Sequence, residues 1–199
     1  MAQGIVAGEI MAGQPGKLYG FRNNGQGITD AAVDLAVLGA SGVTDWSGWE
    51  YFGLTDGGLQ ASIEKSYANH TVDQAPDWVA STITERHASL STNLVAATLE
   101  NLSRANNGGL ITTGVGTGGG WDSWQPIVDT LETPEDYIGL GIESRRLDGK
   151  KMVAVIRRAL STDNMSMAFQ KDAKTMFSVN WAGHFVADDV SPIVVYTQR

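Results

Sequence analysis

The stretch from Tyr51 to Gly109 limits the possible folds more than any other part of the chain, because it carries turn, strand and helix signals in one unbroken order. Thr55-Asp56-Gly57-Gly58 is a turn sequence. From Leu59 the residues alternate, with Leu59, Ala61, Ile63 and Tyr67 on one face and Gln60, Ser62, Glu64 and Ser66 on the other, the pattern of a half-buried strand. A polar loop is expected over Tyr67 to Pro76, and Trp78 to Thr92, rich in Thr, Val and Ile, predicts a second strand. At Leu94 the period changes. Leu94, Val95, Thr98, Leu99, Leu102 and Ala105 then share one side of a predicted helix over Asn93 to Ala105, and Asn106-Asn107-Gly108-Gly109 supplies its left-handed stop.

Around this unit the signals are mostly those of strands and turns. Met1 to Gln14 is small and glycine-spaced, and Lys17 to Arg22 predicts a short strand. Asn23 to Trp49 holds only a weakly apolar patch, Ala31 to Leu38. Leu110 to Gly120 is glycine-rich, and Trp121 to Glu135 reads as a mixed connection in which Pro126 and Pro134 limit helix length. Ile138, Leu140 and Ile142 then alternate with Gly139, Gly141 and Glu143. Asp148-Gly149 signals a two-residue type I′ hairpin, a register that sets Ile142 opposite Val155 and Gly141 opposite Ile156. Further strands are expected at Met165 to Phe169, before a turn at Lys171 to Lys174, at Phe177 to Phe185, and at Ile193 to Tyr196. Seven or so hairpin-spaced strands with one helix predict a mainly β chain, a β-sandwich or barrel with a flanking helix. The expected organisation is an N-terminal arm over 1–22 and a single domain over 23–199, with a core unit at 51–109 and a second hairpin set at 137–196.

Composition removes several function classes. The formal charge of −8 and the absence of any basic run longer than a pair argue against a protein that grips nucleic acid. With no cysteine there is no disulfide framework, thiolate-held metal or thiol nucleophile. No leader-like segment opens the chain and no apolar run reaches membrane-spanning length, so assembly in a cytoplasm is expected.

The motifs that resemble chemistry are weak. Gly114-Val115-Gly116-Thr117-Gly118-Gly119 fits the spacing of a phosphate loop but has no βαβ context, which favours a plain glycine loop. His70, His87 and His184 are far apart and in no metal spacing. No Ser lies in a nucleophile elbow. Asp129, Glu132, Glu135 and Asp136 read as a solvated acidic linker, and the acceptor triplets at Asn69, Asn101 and Asn164 carry no weight without a leader. No catalytic set, cofactor or metal is therefore expected. Left over are large apolar groups in loop-like stretches: Trp46, Trp49, Tyr51, Phe52, Trp78, Trp121 and Trp124. Two readings stay open for them, surfaces buried on assembly or a core whose strands lie elsewhere.

The run from Trp49 to Glu64, with its aromatic pair, Gly53, the Thr55 to Gly58 turn and an alternating strand, resembles a segment of the major tail tube proteins of long-tailed bacteriophages. Val72-Asp73-Gln74 after that strand and Thr98-Leu99-Glu100-Asn101-Leu102 opening a helix are similar too. The resemblance covers about a third of the chain. It implies a β-sandwich subunit in rings of six, stacked into a hollow virion tube through which DNA passes without specific binding, with other tail proteins at the tube ends and no membrane partner. It further implies that Ser66 to Val79, including Tyr67, His70, Val72, Asp73, Gln74 and Trp78, reaches the adjacent ring. Ile63, Ile83, Ile142 and Val155 would belong to the sheet shared between subunits, with Met1 to Arg22 as an arm ordered by assembly. An acidic subunit suits a conduit that must not hold phosphate. Other readings are a tube protein of a contractile secretion apparatus, a sugar-binding module using Trp46, Trp49 or Trp121, and a nucleotide enzyme built on the Gly114 loop.

Overall fold

The computed structural model describes residues 16–21, 46, 48–73, 75–95, 98–116, 118–126, 137–162 and 175–198. The expected patch at Ala31 to Leu38, the carboxylates Asp129, Glu132, Glu135 and Asp136, the strand at Met165 to Phe169, the turn after it, Asn164 and Gln74 lie outside them.

The chain is mainly β. Ten strands are described: β1 (Lys17–Phe21), β2 (Glu50–Tyr51), β3 (Thr55–Val72), β4 (Ala75–Leu94), β5 (Leu110–Val115), β6 (Trp121–Gln125), β7 (Ile138–Arg145), β8 (Lys151–Ser161), β9 (Phe177–Gly183) and β10 (Ile193–Thr197). One helix, α1 (Leu99–Ala105), follows β4. All pairings are antiparallel. The main sheet runs β2-β1-β7-β8-β9-β4-β3, with β10 beside the first half of β8 and β9 beside its end, and β5 and β6 form a separate hairpin.

Connectivity forces this sheet to curl. β2 and β3 sit at its opposite ends, which in a flat sheet would be roughly 29 Å apart at strand spacing of about 4.8 Å. Only Phe52, Gly53 and Leu54 join them, a span of at most about 14 Å. The ends therefore come together, and the Val95 amide donates to the Leu54 carbonyl at 2.9 Å. Inside the curl lies the core, where Leu18, Phe52, Leu90, Leu94, Leu140, Ile156, Phe177, Val179 and Trp181 are buried together. The alternation of β9 places Phe177, Val179 and Trp181 inward, as its sequence predicts.

Helix α1 plugs one end of the core with Leu102 and Ala105. Thr98 caps it, its hydroxyl accepting from the Asn101 amide at 3.2 Å. The buried Asn101 side chain donates to the Phe52 carbonyl at 2.8 Å, and Arg104 packs over the Phe52 ring and pairs with Glu50. The helix thus fixes the short connection that closes the sheet. At its end Asn107 takes φ 56°, and the Gly108 amide donates to the Ser103 carbonyl at 2.7 Å, the left-handed stop the sequence calls for.

Four expectations are corrected. Leu94 ends β4 instead of opening the helix, because its side chain joins the sheet core and the capping hydroxyl comes only at Thr98. The connection from β7 to β8 holds three residues, not two: only Gly149 has positive φ, so a type I′ turn, which needs two such residues, does not form. The register slips by one, and Gly141 faces Val155 while Ile142 faces Ala154. The stretch around Trp121 is not a mixed connection but strand β6, paired with β5 across the Gly114 to Gly120 tip. Finally, Lys17–Phe21 of the expected arm is an inner strand of the main sheet with Leu18 fully buried.

Candidate functional site

The largest departure from the sequence reading concerns the polar loop at Tyr67 to Pro76. Strand pairing continues through it, from Tyr67 opposite Ile83 to Val72 opposite Ala75, with a turn at Asp73. Polar and small residues were taken for a loop, yet Thr71, Val72, Val79 and Thr82 suit a pleated backbone. The result is a two-stranded ribbon. β4 is paired with β9 only between Ala88 and Leu94, and the Ala88 partner on β3 is Ile63. From Ile63 to Val72 the ribbon therefore leaves the body for ten residues, on the order of 30 Å at about 3.4 Å per residue.

Register separates the two faces of the ribbon. Ile63 lies opposite Ala88, Lys65 opposite Arg86, and Tyr67 opposite Ile83, all on the side continuous with the core-facing Leu90. Glu64 lies opposite His87, Ser66 opposite Glu85, and Ala68 opposite Thr82, on the other side. A bulge of one residue on β4 between the Ser66 and Tyr67 pairs keeps these faces in step. Local hydrogen bonds follow the same division: Ser81 donates to Asn69 at 2.7 Å, and His70 Nε2 lies 3.0 Å from the Thr82 hydroxyl.

The ribbon is poorly covered. Ile63 is 50% exposed, Tyr67 54%, Ile83 43% and Trp78 69%. Both long edges, β3 along its outer side and β4 from its start to His87, have no strand partner among the described residues. Two strands alone are at best marginally stable in water, and unpaired edges bearing apolar side chains are templates for further pairing.

The residues named from sequence thus divide. Ile63, Ile83, Tyr67, His70, Asp73 and Trp78 are all on this ribbon or its turn, and the backbone of Val72 is in its last pair. Val155 is fully buried and Ile142 packs against the core, so neither is a free surface. The aromatic residues divide likewise. Phe52 and Trp49 are buried, Trp46 stacks on Tyr19 at 4.1 Å, and Trp124 donates to the Gly108 carbonyl at 3.1 Å, whereas Trp78 and Trp121 stand exposed.

Where the ribbon meets the body, a cleft of about 600 Å3 runs between Ile83 to Arg86 and the segment from Gly183 to Pro192. His184 lines it, its ring edge-on to Tyr137, which is in turn covered by Arg158 at 3.9 Å. Burial, and then the nearby Arg158 charge, hold the His184 imidazole below its ordinary pKa, so it is neutral near pH 7. Glu85 and His87 approach to 3.5 Å in the open. The Gly114 to Gly119 segment is a hairpin tip, its Gly114 amide donating to Asp122 at 3.1 Å, and no helix follows it to receive a phosphate. Among the described residues no group of three or more His, Asp or Glu side chains is placed to hold a metal ion, and no helix is long and apolar enough to cross a membrane.

No protein-family model and no curated protein matches this chain.

Proposed function

We propose that this chain is a self-assembling structural subunit, a tail tube protein of the long-tailed bacteriophage type, whose rings stack into a hollow virion tube for passage of DNA. The observation that carries the reading is the β3–β4 ribbon, which extends apolar side chains and two unpaired edges beyond the body that should support it. A lone hairpin of this length gains little in water, while pairing with copies of itself would cover its edges and its exposed apolar groups. The curled sheet with a short helix at its end is compatible with the sandwich or barrel subunit of such tubes. The net charge of −8 suits a wall past which a duplex slides without binding. Tyr67, His70, Asp73 and Trp78, at the outer part of the ribbon, are the proposed contacts to the next ring.

Negative-stain electron microscopy of the concentrated protein tests this. Rings or tubes with a central channel wider than a duplex, about 20 Å, are expected. A chain that remains monomeric in sedimentation at high concentration would remove the proposal.

A further inference from the structure

The ribbon has two chemically different faces, and the difference is set by register. On one, Lys65 and Arg86 lie directly opposite each other between the exposed apolar groups Ile63 on one side and Tyr67 and Ile83 on the other. Like charges placed opposite one another repel. No carboxylate makes a salt bridge to either among the described residues. On the other face Glu64 and Glu85 stand among Ser62, Ser66, His87 and Ser89, with no Lys or Arg between them. The ribbon has sorted its cations to the apolar side and its carboxylates to the hydroxyl-bearing side.

We infer that these faces have different destinations: the Ile63, Lys65, Tyr67, Ile83 and Arg86 face is covered by the body of a second copy of this chain, and the Glu64, Ser66, Glu85 and His87 face stays in water. The inference rests on the tube reading above, within which the second face lines the bore. Apolar area drives the first face out of water, but a paired cation site is stable under cover only if the partner brings anions. A second copy does so, since the chain carries 22 Asp and Glu against 14 Lys and Arg. The opposite face has nothing to gain from burial: its carboxylates and hydroxyls are fully served by water, and carboxylates directed at the bore repel phosphate. Trp78 is the exception on that side, and it belongs to the outer end of the ribbon, where the next ring is met.

The chain has no cysteine, so a single introduced thiol reports its own position. Ala61 and Ser66 are small, exposed and on opposite faces. The full-length Ala61→Cys and Ser66→Cys variants would be treated with a small maleimide, first as dissociated chains and then as isolated tubes. Both thiols should react in the dissociated chain. In tubes the Ala61→Cys thiol should lose its reactivity and the Ser66→Cys thiol should keep it. An Ala61→Cys chain that shows native circular dichroism but no longer assembles, while Ser66→Cys does, supports the same facing. Tubes in which the pattern is reversed, or in which both thiols react or both are protected, overturn this assignment and leave the tube reading standing. Absence of tubes from the unsubstituted protein overturns both.

Discussion

The two halves of the curled sheet treat their outer faces in opposite ways. Over β1, β7, β8 and β10 the outer face is a second small core: Val153 and Val155 lie beneath Trp46 and Trp49, with Tyr19, Phe21, Val194 and Tyr196 around them. Even the carboxylate there is held, since Glu143 is buried, accepts from the Trp46 indole at 2.8 Å and pairs with Lys151 at 3.2 Å. Over β3 and β4 no such cover exists among the described residues. Ser62 and Ser89 bond only to each other, and further out the ribbon stands free on both sides. One half is finished within the subunit, whereas the other is left open, and this contrast separates residues that serve the fold from residues available to a partner.

The sharpest way to break the contrast is to remove one tryptophan from each region. Trp181 is fully buried between β9 and Phe52, and Trp181→Ala should cost about 3–5 kcal/mol, enough to unfold much of the population at ambient temperature. Trp78→Ala on the ribbon should change subunit stability by no more than about 0.5 kcal/mol. Urea denaturation followed by circular dichroism measures both. A large loss of subunit stability from Trp78→Ala would mean that the ribbon is packed against its own body after all.

A smaller effect is expected at Gly141, where the aromatic cover comes closest to the backbone. A Cβ there would lie 2.4 Å from the Trp46 ring and 3.2 Å from the Trp49 ring. Gly141→Ala should therefore lift the cover and destabilise the subunit by about 1–3 kcal/mol, with a red shift of tryptophan fluorescence as the indoles meet water. An unchanged spectrum and midpoint would show that the cover is loose and that the two halves differ less than the packing implies.

What was legible in the sequence follows the same division. β9 and the left-handed stop at Asn107 could be read directly because local pattern and tertiary environment agree there. The hairpin register could not, since Asp148-Gly149 fits either a two-residue or a three-residue connection and only the backbone angles decide. Leu94 fits a helix face as well as a strand, and the switch of period was placed several residues early. The ribbon was half read. Ile63, Ile83 and Trp78 were singled out, but a two-stranded segment bare on both faces lacks the one-sided burial that makes alternation visible, so its middle passed for a loop. Trp46 and Trp49 hid for another reason: their partners Tyr19, Val153 and Val155 lie far along the chain.

Weaker still is the expected response to pH at the root of the ribbon. Burial and then Arg158 lower the His184 pKa from its ordinary 6.5, so the folded chain binds this proton less readily than the unfolded chain. The neutral form's advantage is fully present above about pH 6.5 and is lost as pH falls through the depressed folded value. Glu85, Arg86, Asp188 and Asp189 line the same cleft, so the total titration there is shared, and the His184→Gln variant isolates the histidine. The urea midpoint of the unsubstituted chain should drop more than that of the variant between about pH 7.5 and about pH 5.5. Equal drops would remove His184 from the acid response.

The smallest effect on the subunit, and the one that most sharpens the comparison, is expected from a charge at Ile63. Read from sequence as a core-facing strand residue, Ile63 should not tolerate one. In the structure its side chain is half exposed, on the open face beside Lys65 and opposite Ala88. Ile63→Glu should then leave the denaturation midpoint within about 0.5 kcal/mol of the unsubstituted value, the added carboxylate even finding a cation nearby. Assembly should fail, because the same carboxylate would have to be buried against a net acidic partner. Deleting Val72 to Ala75 shortens the ribbon at its turn and leaves Ile63 untouched, so it should permit lateral contacts between copies but not the stacking of rings. Sedimentation separates the outcomes: monomers for Ile63→Glu, short oligomers without tubes for the deletion. If Ile63→Glu unfolds the chain instead, the ribbon root belongs to the finished half of the molecule. The boundary between fold and partner surface then moves outward along β3 toward Tyr67.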